Sequence, residues 1–152
     1  MINQSKTNTM KHLLTILAIL FTLTIQAQWS YSGNRYWTPN GNTASGDNST
    51  AMGISSTASG DNSTAMGYIT TATGIYSTAM GGGSLASAPT STAMGYNTIA
   101  SGNNSTAMGG QSTASGNNST AMGSNTLASG EKSIAMGEST AATGDFSTAM
   151  GE

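Results

Sequence analysis

Residues 43–56 read TASGDNSTAMGISS and residues 57–70 read TASGDNSTAMGYIT, two fourteen-residue segments that differ at three positions. The same frame continues as TATGIYSTAMGGGS from Thr71, LASAPTSTAMGYNT from Leu85, IASGNNSTAMGGQS from Ile99, TASGNNSTAMGSNT from Thr113, LASGEKSIAMGEST from Leu127 and AATGDFSTAMGE from Ala141. These are eight copies without insertion or deletion, the last stopping two residues short. Counting from Thr43, five of the fourteen positions never vary: Ala at 2, Ser at 7, Ala at 9, Met at 10 and Gly at 11. Variation falls mainly at positions 5, 6, 12 and 13. An unbroken period with fixed and variable columns is the mark of a solenoid whose coils stack in register.

Within each unit the second Ala follows the first by seven residues, with a Gly two places after each except in the fourth unit, where Ala88 stands two places after Ala86. A seven-residue period also suits a coiled coil, but the composition argues against one. Gly in a helix interior costs about 1 kcal/mol, Ser, Thr and Asn fill most other sites, and no pair of large apolar seam residues recurs. Alternating Thr, Ala and Ser suit short strands, with Gly, Asn and Asp turning the chain between them. The expectation is an all-β parallel β-roll with two strands of about four residues per coil. Fourteen residues are too few for a three-sided coil, so the roll is flattened and two-sided.

Period-2 geometry assigns the faces. In STAMG the Ala points one way while Thr and Met point the other. Tight turns leave little room between the sheets, so the Ala sides are expected to meet inside: Ala44, Ala51, Ala58, Ala65, Ala72, Ala79, Ala86, Ala93, Ala100, Ala107, Ala114, Ala121, Ala128, Ala135, Ala142 and Ala149. The outward face then carries a Met column (Met52, Met66, Met80, Met94, Met108, Met122, Met136, Met150) beside a column of Thr50, Thr64, Thr78, Thr92, Thr106, Thr120, Ile134 and Thr148. Met readily fills irregular gaps, so the inverse arrangement, Met inside and Ala outside, is the competing one. Stacked at about 4.8 Å per coil, the outward stripe is roughly 38 Å long. Burying eight Met side chains at roughly 1.5–3 kcal/mol each offers on the order of 10–20 kcal/mol, which points to self-association through this face.

Upstream, MKHLLTILAILFTLTIQAQ from Met10 has a short basic start and thirteen apolar or Thr residues from Leu13 to Ile25, a secretory signal pattern. The run is shorter than the roughly 20 residues a spanning helix needs, so no membrane-spanning segment is expected in the mature chain. The expected organisation is 1–27 signal peptide, with a possible start at Met10, then 28–42, then 43–152 as the repeats. The segment 28–42 concentrates Trp29, Tyr31, Tyr36 and Trp37 and is read as a cap over the first coil, with an aromatic ligand patch as the competing reading.

Of 152 residues, 20 are Gly, 10 are Met and none is Cys, with four basic and six acidic side chains. The absence of Cys excludes a disulfide framework and a thiolate zinc site. A charged fraction of 7% argues against a solvated helical bundle and against a nucleic-acid partner. From Gln28 onward there are two basic and six acidic residues, a formal charge of −4, and no His.

The recurring NSTAMG, with Ala-x-Gly seven residues upstream, resembles the NSVAIG-type head repeat of trimeric autotransporter adhesins, the YadA-like head, over residues 43–152. Thr stands where that motif has Val and Met where it has Ile. The resemblance implies a left-handed parallel β-roll, three copies of which associate about a common axis, and attachment of a bacterium to host or matrix ligands. Positions 8 and 10 would face the trimer interior, making the Thr and Met columns above the seam. It further implies a secreted or cell-surface location, associated with the outer membrane if a C-terminal anchor exists. The coiled-coil stalk and membrane barrel of such adhesins do not follow; the chain stops at Glu152, and the expectation is a piece of a longer surface protein or a gene truncated before its tail.

Catalytic chemistry is sparse. Asp47, Asp61, Glu131, Glu138, Asp145 and Glu152 are scattered on turns, and the column pair Asp47 and Asp61 reads as solvated turn residues rather than a cation site. Asn48, Asn62, Asn104 and Asn118 open glycosylation-type triplets but read as makers of turn hydrogen bonds. Gly81 to Gly83 lack the Lys of a phosphate loop and read as a turn. With no nucleophile–base pair, neither enzyme activity, metal nor cofactor is expected. The alternative function is an ice-binding or surface-coating solenoid presenting Thr ladders, although position 1 is interrupted by Leu85, Ile99, Leu127 and Ala141.

Overall fold

In a computed structural model of the chain, the described residues are His12, 30–31, 36–37 and 40–151. The segment read as a secretory signal lies outside them apart from His12, as does Trp29. Residues 43–151 wind into a parallel β-solenoid in which each coil supplies one strand to each of two sheets.

The short strands are β3 (Thr43–Ala44), β5 (Thr57–Ala58), β7 (Thr71–Ala72), β9 (Leu85–Ala86), β11 (Ile99–Ala100), β13 (Thr113–Ala114), β15 (Leu127–Ala128) and β17 (Ala141–Ala142). The long strands are β4 (Thr50–Ile54), β6 (Thr64–Tyr68), β8 (Thr78–Gly82), β10 (Thr92–Tyr96), β12 (Thr106–Gly110), β14 (Thr120–Ser124), β16 (Ile134–Glu138) and β18 (Thr148–Gly151). Ahead of them, β1 (Ser30–Tyr31) pairs antiparallel with β2 (Tyr36–Trp37), and β2 lies parallel to β4 with Tyr36 opposite Thr50. All other pairings are parallel and without offset, so that Met94 stands between Met80 and Met108.

The strands are thus mostly five residues and two, rather than about four each. The cause lies just past the first Ala. The carbonyl of Ala58 accepts both Ser45 N–H (2.9 Å) and Gly46 N–H (3.4 Å), which collapses the ladder onto one acceptor and ends the short strand. On the other side Gly81 and Gly82 close strand β8, and only Gly83 occupies the bend, so this glycine run is mostly strand.

Both turns pass through the left-handed region. Position 6 has φ between 54° and 58° in all eight coils, filled by Asn48, Asn62, Asn104 and Asn118 but also by Tyr76, Thr90, Lys132 and Phe146. Asn tolerates this backbone better than other residues with a Cβ, which is why it recurs there. Position 13 repeats the conformation from Ser55 to Ser139, including the β-branched Ile69 at φ 54°.

The interior is not Ala alone. All the Ala of positions 2 and 9 from Ala51 to Ala135 are fully buried, Ala44 and Ala142 nearly so, and Ala149 packs against them half-buried. Two further columns point inward with them: Ser at position 7, from Ser49 to Ser133, and Ser or Thr at position 14, from Ser56 to Thr126. Parity accounts for it, since 7 lies two before the Ala at 9 and 14 lies two before the next Ala at 2. Ser49 Oγ donates to the Gly46 carbonyl (2.7 Å), closing the turn from inside, and Ser91 and Ser133 do the same to Ala88 and Gly130.

So small a section brings backbone against backbone. A Cβ built on Gly102 would lie 2.0 Å from the Gly116 carbonyl oxygen. Coil four departs from the rule, with Ala88 in this column followed by Pro89. There the next rung stretches, Asn104 N–H to Pro89 carbonyl measuring 3.1 Å against 2.8 Å for Asn118 N–H to Asn103 carbonyl.

Candidate functional site

The outward face of the long sheet is the most regular surface of the molecule. Zero-offset pairing aligns Met52 through Met150 in one column, with Thr50 through Thr148 and Ile134 beside it. The Met from Met66 to Met136 are half-buried by their neighbours in the column, whereas Met52 at the first coil is 39% exposed and Met150 at the last 67%. The Thr from Thr50 to Thr120 are likewise half-buried, and Ile134 and Thr148 are exposed. In a single chain the face is therefore apolar, continuous and partly open to solvent.

Position 12 ends the long strand just after the Met and Gly columns, with Ile54, Tyr68, Gly82, Tyr96, Gly110, Ser124 and Glu138 in turn. Tyr96 leans back over the preceding coil: a Cβ on Gly82 would sit 3.4 Å from its ring carbon Cδ2. Of the large residues at variable positions, Ile54, Tyr68 and Tyr96 end long strands rather than lying in turns, whereas Ile75, Tyr76 and Phe146 do lie in turns; all six are substantially exposed.

The carboxylate column closes rungs. Asp61 Oδ1 accepts Asp47 N–H (2.9 Å), Asp145 Oδ1 accepts Glu131 N–H (2.9 Å), and Asn117 Oδ1 plays the same part for Asn103 N–H (3.0 Å). At this edge Lys132 Nζ lies 3.1 Å from Glu131 and 4.8 Å from the centre of the Phe146 ring. Among the described residues no three His, Asp or Glu gather into a possible metal cluster. No helix among them is long and apolar enough to cross a membrane, which leaves β-barrel spans unaddressed.

Of the aromatic segment, the strands β1 and β2 place Tyr31, Tyr36 and Trp37 at the edge of the long sheet next to the first coil. The buried hydroxyl columns are what sequence reading passed over. Their signal was present: position 7 is always Ser and position 14 always Ser or Thr.

Two-stranded fourteen-residue coils in parallel stack define the class, a β-roll solenoid. The family model described as YadA head domain repeat (2 copies) matches residues 44–68, 72–98, 100–126 and 128–151. The chain belongs to the YadA head-domain family. Members of this family are in general trimeric heads of bacterial surface adhesins. Among curated protein sequences none aligns significantly with the chain.

Proposed function

We propose that the chain forms the head of a secreted, surface-exposed homotrimeric adhesin that attaches the bacterium to host or matrix ligands and performs no catalysis. The observation that carries this reading is the unbroken, partly exposed Met column along the long sheet. Three such faces closed around an axis bury eight Met per chain without leaving an apolar stripe in water. The gain is smaller than full burial, because the column already covers much of each side chain. Roughly 0.5–1 kcal/mol per Met remains, or about 4–8 kcal/mol per chain. Family membership supports the same assembly.

In that arrangement the Thr and Met columns form the seam, and the short strands β1 and β2 cap the first coil. The exposed turn residues, Tyr76 and Phe146 among them, are presented three times over. Threefold presentation multiplies a weak contact by raising the local concentration of the second and third sites.

The test is sedimentation equilibrium of the mature chain, residues 28–152, alone and as the variant Met94→Asp with Met108→Asp. The expected result is a trimer that the double variant dissociates, since a buried carboxylate without a partner is strongly disfavoured. Beads coated with the parent should adhere to matrix-coated surfaces more strongly than beads coated with the variant. A stable folded parent monomer, or a variant that stays trimeric, refutes the Met seam.

A further inference from the structure

The fourteen-residue frame conceals a second period. Along buried position 14 the residues run Ser56, Thr70, Ser84, Thr98, Ser112, Thr126, alternating coil by coil until Thr140. Their hydroxyls do different work. Thr70 Oγ1 donates to Ser56 Oγ (2.9 Å) and Thr98 Oγ1 to Ser84 Oγ (2.8 Å). The serines donate onward to the position-11 carbonyl of the following coil: Ser56 to Gly67 (3.1 Å), Ser84 to Gly95 (3.1 Å) and Ser112 to Gly123 (3.0 Å). In the third pair the Thr–Ser bond is missing: Ser112 Oγ is shared between the Gly123 carbonyl and, at 3.4 Å, the Gly110 carbonyl, and Thr126 Oγ1 has no partner.

The backbone follows the hydroxyls. Inside the stack Gly67, Gly95 and Gly123, whose carbonyls accept the serines, all have φ of 132°, whereas Gly81, Gly109 and Gly137, which follow Thr70, Thr98 and Thr126, have 104°, 106° and 116°. The end glycines depart from this, with Gly53, whose carbonyl accepts Asn42 Nδ2, at 115° and Gly151, after Thr140, at 139°. The surface follows the backbone. From coil two to coil five the residue after the glycine alternates as Tyr68, Gly82, Tyr96, Gly110, before Ser124 and Glu138, and the Tyr96 ring occupies the space over Gly82.

We infer that the structural unit of this solenoid is a pair of coils. The buried Ser–Thr hydroxyl pairs are positioning residues that fix the pair's register and space the exposed Tyr68 and Tyr96 two coils apart, about 9.6 Å. In a stack of near-identical repeats, slippage by one coil leaves every Ala and Met column intact. The alternating column penalises it, because Ser would meet Ser and Thr would meet Thr.

Two deletions in the full chain test the pair. Removing 57–84 joins Ser56 to Thr98 and keeps the alternation; removing 57–70 sets Ser56 against Ser84. The expected result is that the longer deletion melts higher by about 5 °C or more, followed by circular dichroism. Solenoids whose coils act singly lose stability with each coil removed, and the longer deletion also forfeits one more seam Met, so both effects oppose the expected order. A shorter deletion that melts at or above the longer one, or a longer deletion that fails to fold, overturns the inference. A second comparison needs no deletion. Ser84→Ala should lower the melting temperature, because Thr98 and Gly95 lose their partner. Ser77→Ala, at an equally buried Oγ without one, should lower it far less. Equal losses at the two serines overturn the role of the hydroxyl pairs.

Discussion

Substituting two adjacent glycines should separate close stacking from ordinary glycine flexibility. At Gly109 φ is 106° and an added Cβ would lie 2.0 Å from the Gly123 carbonyl oxygen. Cβ contacts under 3.0 Å are essentially never seen, so Gly109→Ala must push the next coil away by about an ångström. The unusual backbone costs an L-residue on the order of 1–3 kcal/mol. Gly109 is held between Gly95 and Gly123, and displacing it weakens about two rung hydrogen bonds at roughly 1 kcal/mol each. Together these come to about 3–5 kcal/mol. At Gly110 an added Cβ meets nothing within 4 Å, and φ is not in the left-handed region. Gly110→Ala should therefore be neutral or stabilise by about 0.4–1 kcal/mol through the unfolded chain. Equilibrium urea denaturation of both variants reads the difference directly. A Gly109→Ala protein within about 1 kcal/mol of the parent, or one no less stable than Gly110→Ala, would refute the backbone-on-backbone stacking.

Other consequences can be checked more briefly. Ile69→Asn should stabilise by about 1 kcal/mol in thermal denaturation, because a β-branched residue at φ 54° is replaced by one that tolerates the left-handed region. Ala107→Leu should destabilise by about 2–3 kcal/mol on the same assay, since Ala107 is fully buried between Ala93 and Ala121. A thermal-hysteresis measurement should show no activity, because the Thr column is flanked by Met and the position-1 column is broken at Leu85 and Ile99; measurable hysteresis would favour the ice-binding alternative.

The coil length and the parallel stacking were legible because any insertion would break the register, and the sequence contains none from Thr43 to Glu152. Strand parity at Ala51 and Met52 was legible for the same reason, as period-2 alternation carries over unchanged into a two-sided roll. Parity was not carried far enough along the chain. Ser49 and Ser56 sit in phase with the Ala columns, yet a hydroxyl carries no hydrophobic signal; the carbonyls of Gly46 and Gly67 satisfy these two, while Ser63, Ser77, Ser105 and Ser119 are buried in the same way with no hydrogen-bond partner for Oγ. Strand lengths were misjudged because the shared acceptor at Ala58 has no trace in residue type. The turn asparagines were read as makers of turn hydrogen bonds, and Asn62, Asn104 and Asn118 do donate their backbone N–H to the coil before; what the position selects for is the backbone angle, as Tyr76 and Phe146 show by adopting it there.

The zero-offset parallel stack also fixes what such a chain is good for mechanically. Each coil consumes fourteen residues to climb one strand spacing, about 0.34 Å of height per residue, against 1.5 Å in an α-helix. As a spacer the roll is more than four times less economical than an α-helix. The sequence goes instead into circumference: every coil adds two turns whose residues face water, so lengthening the roll enlarges the display area while moving its tip only slightly.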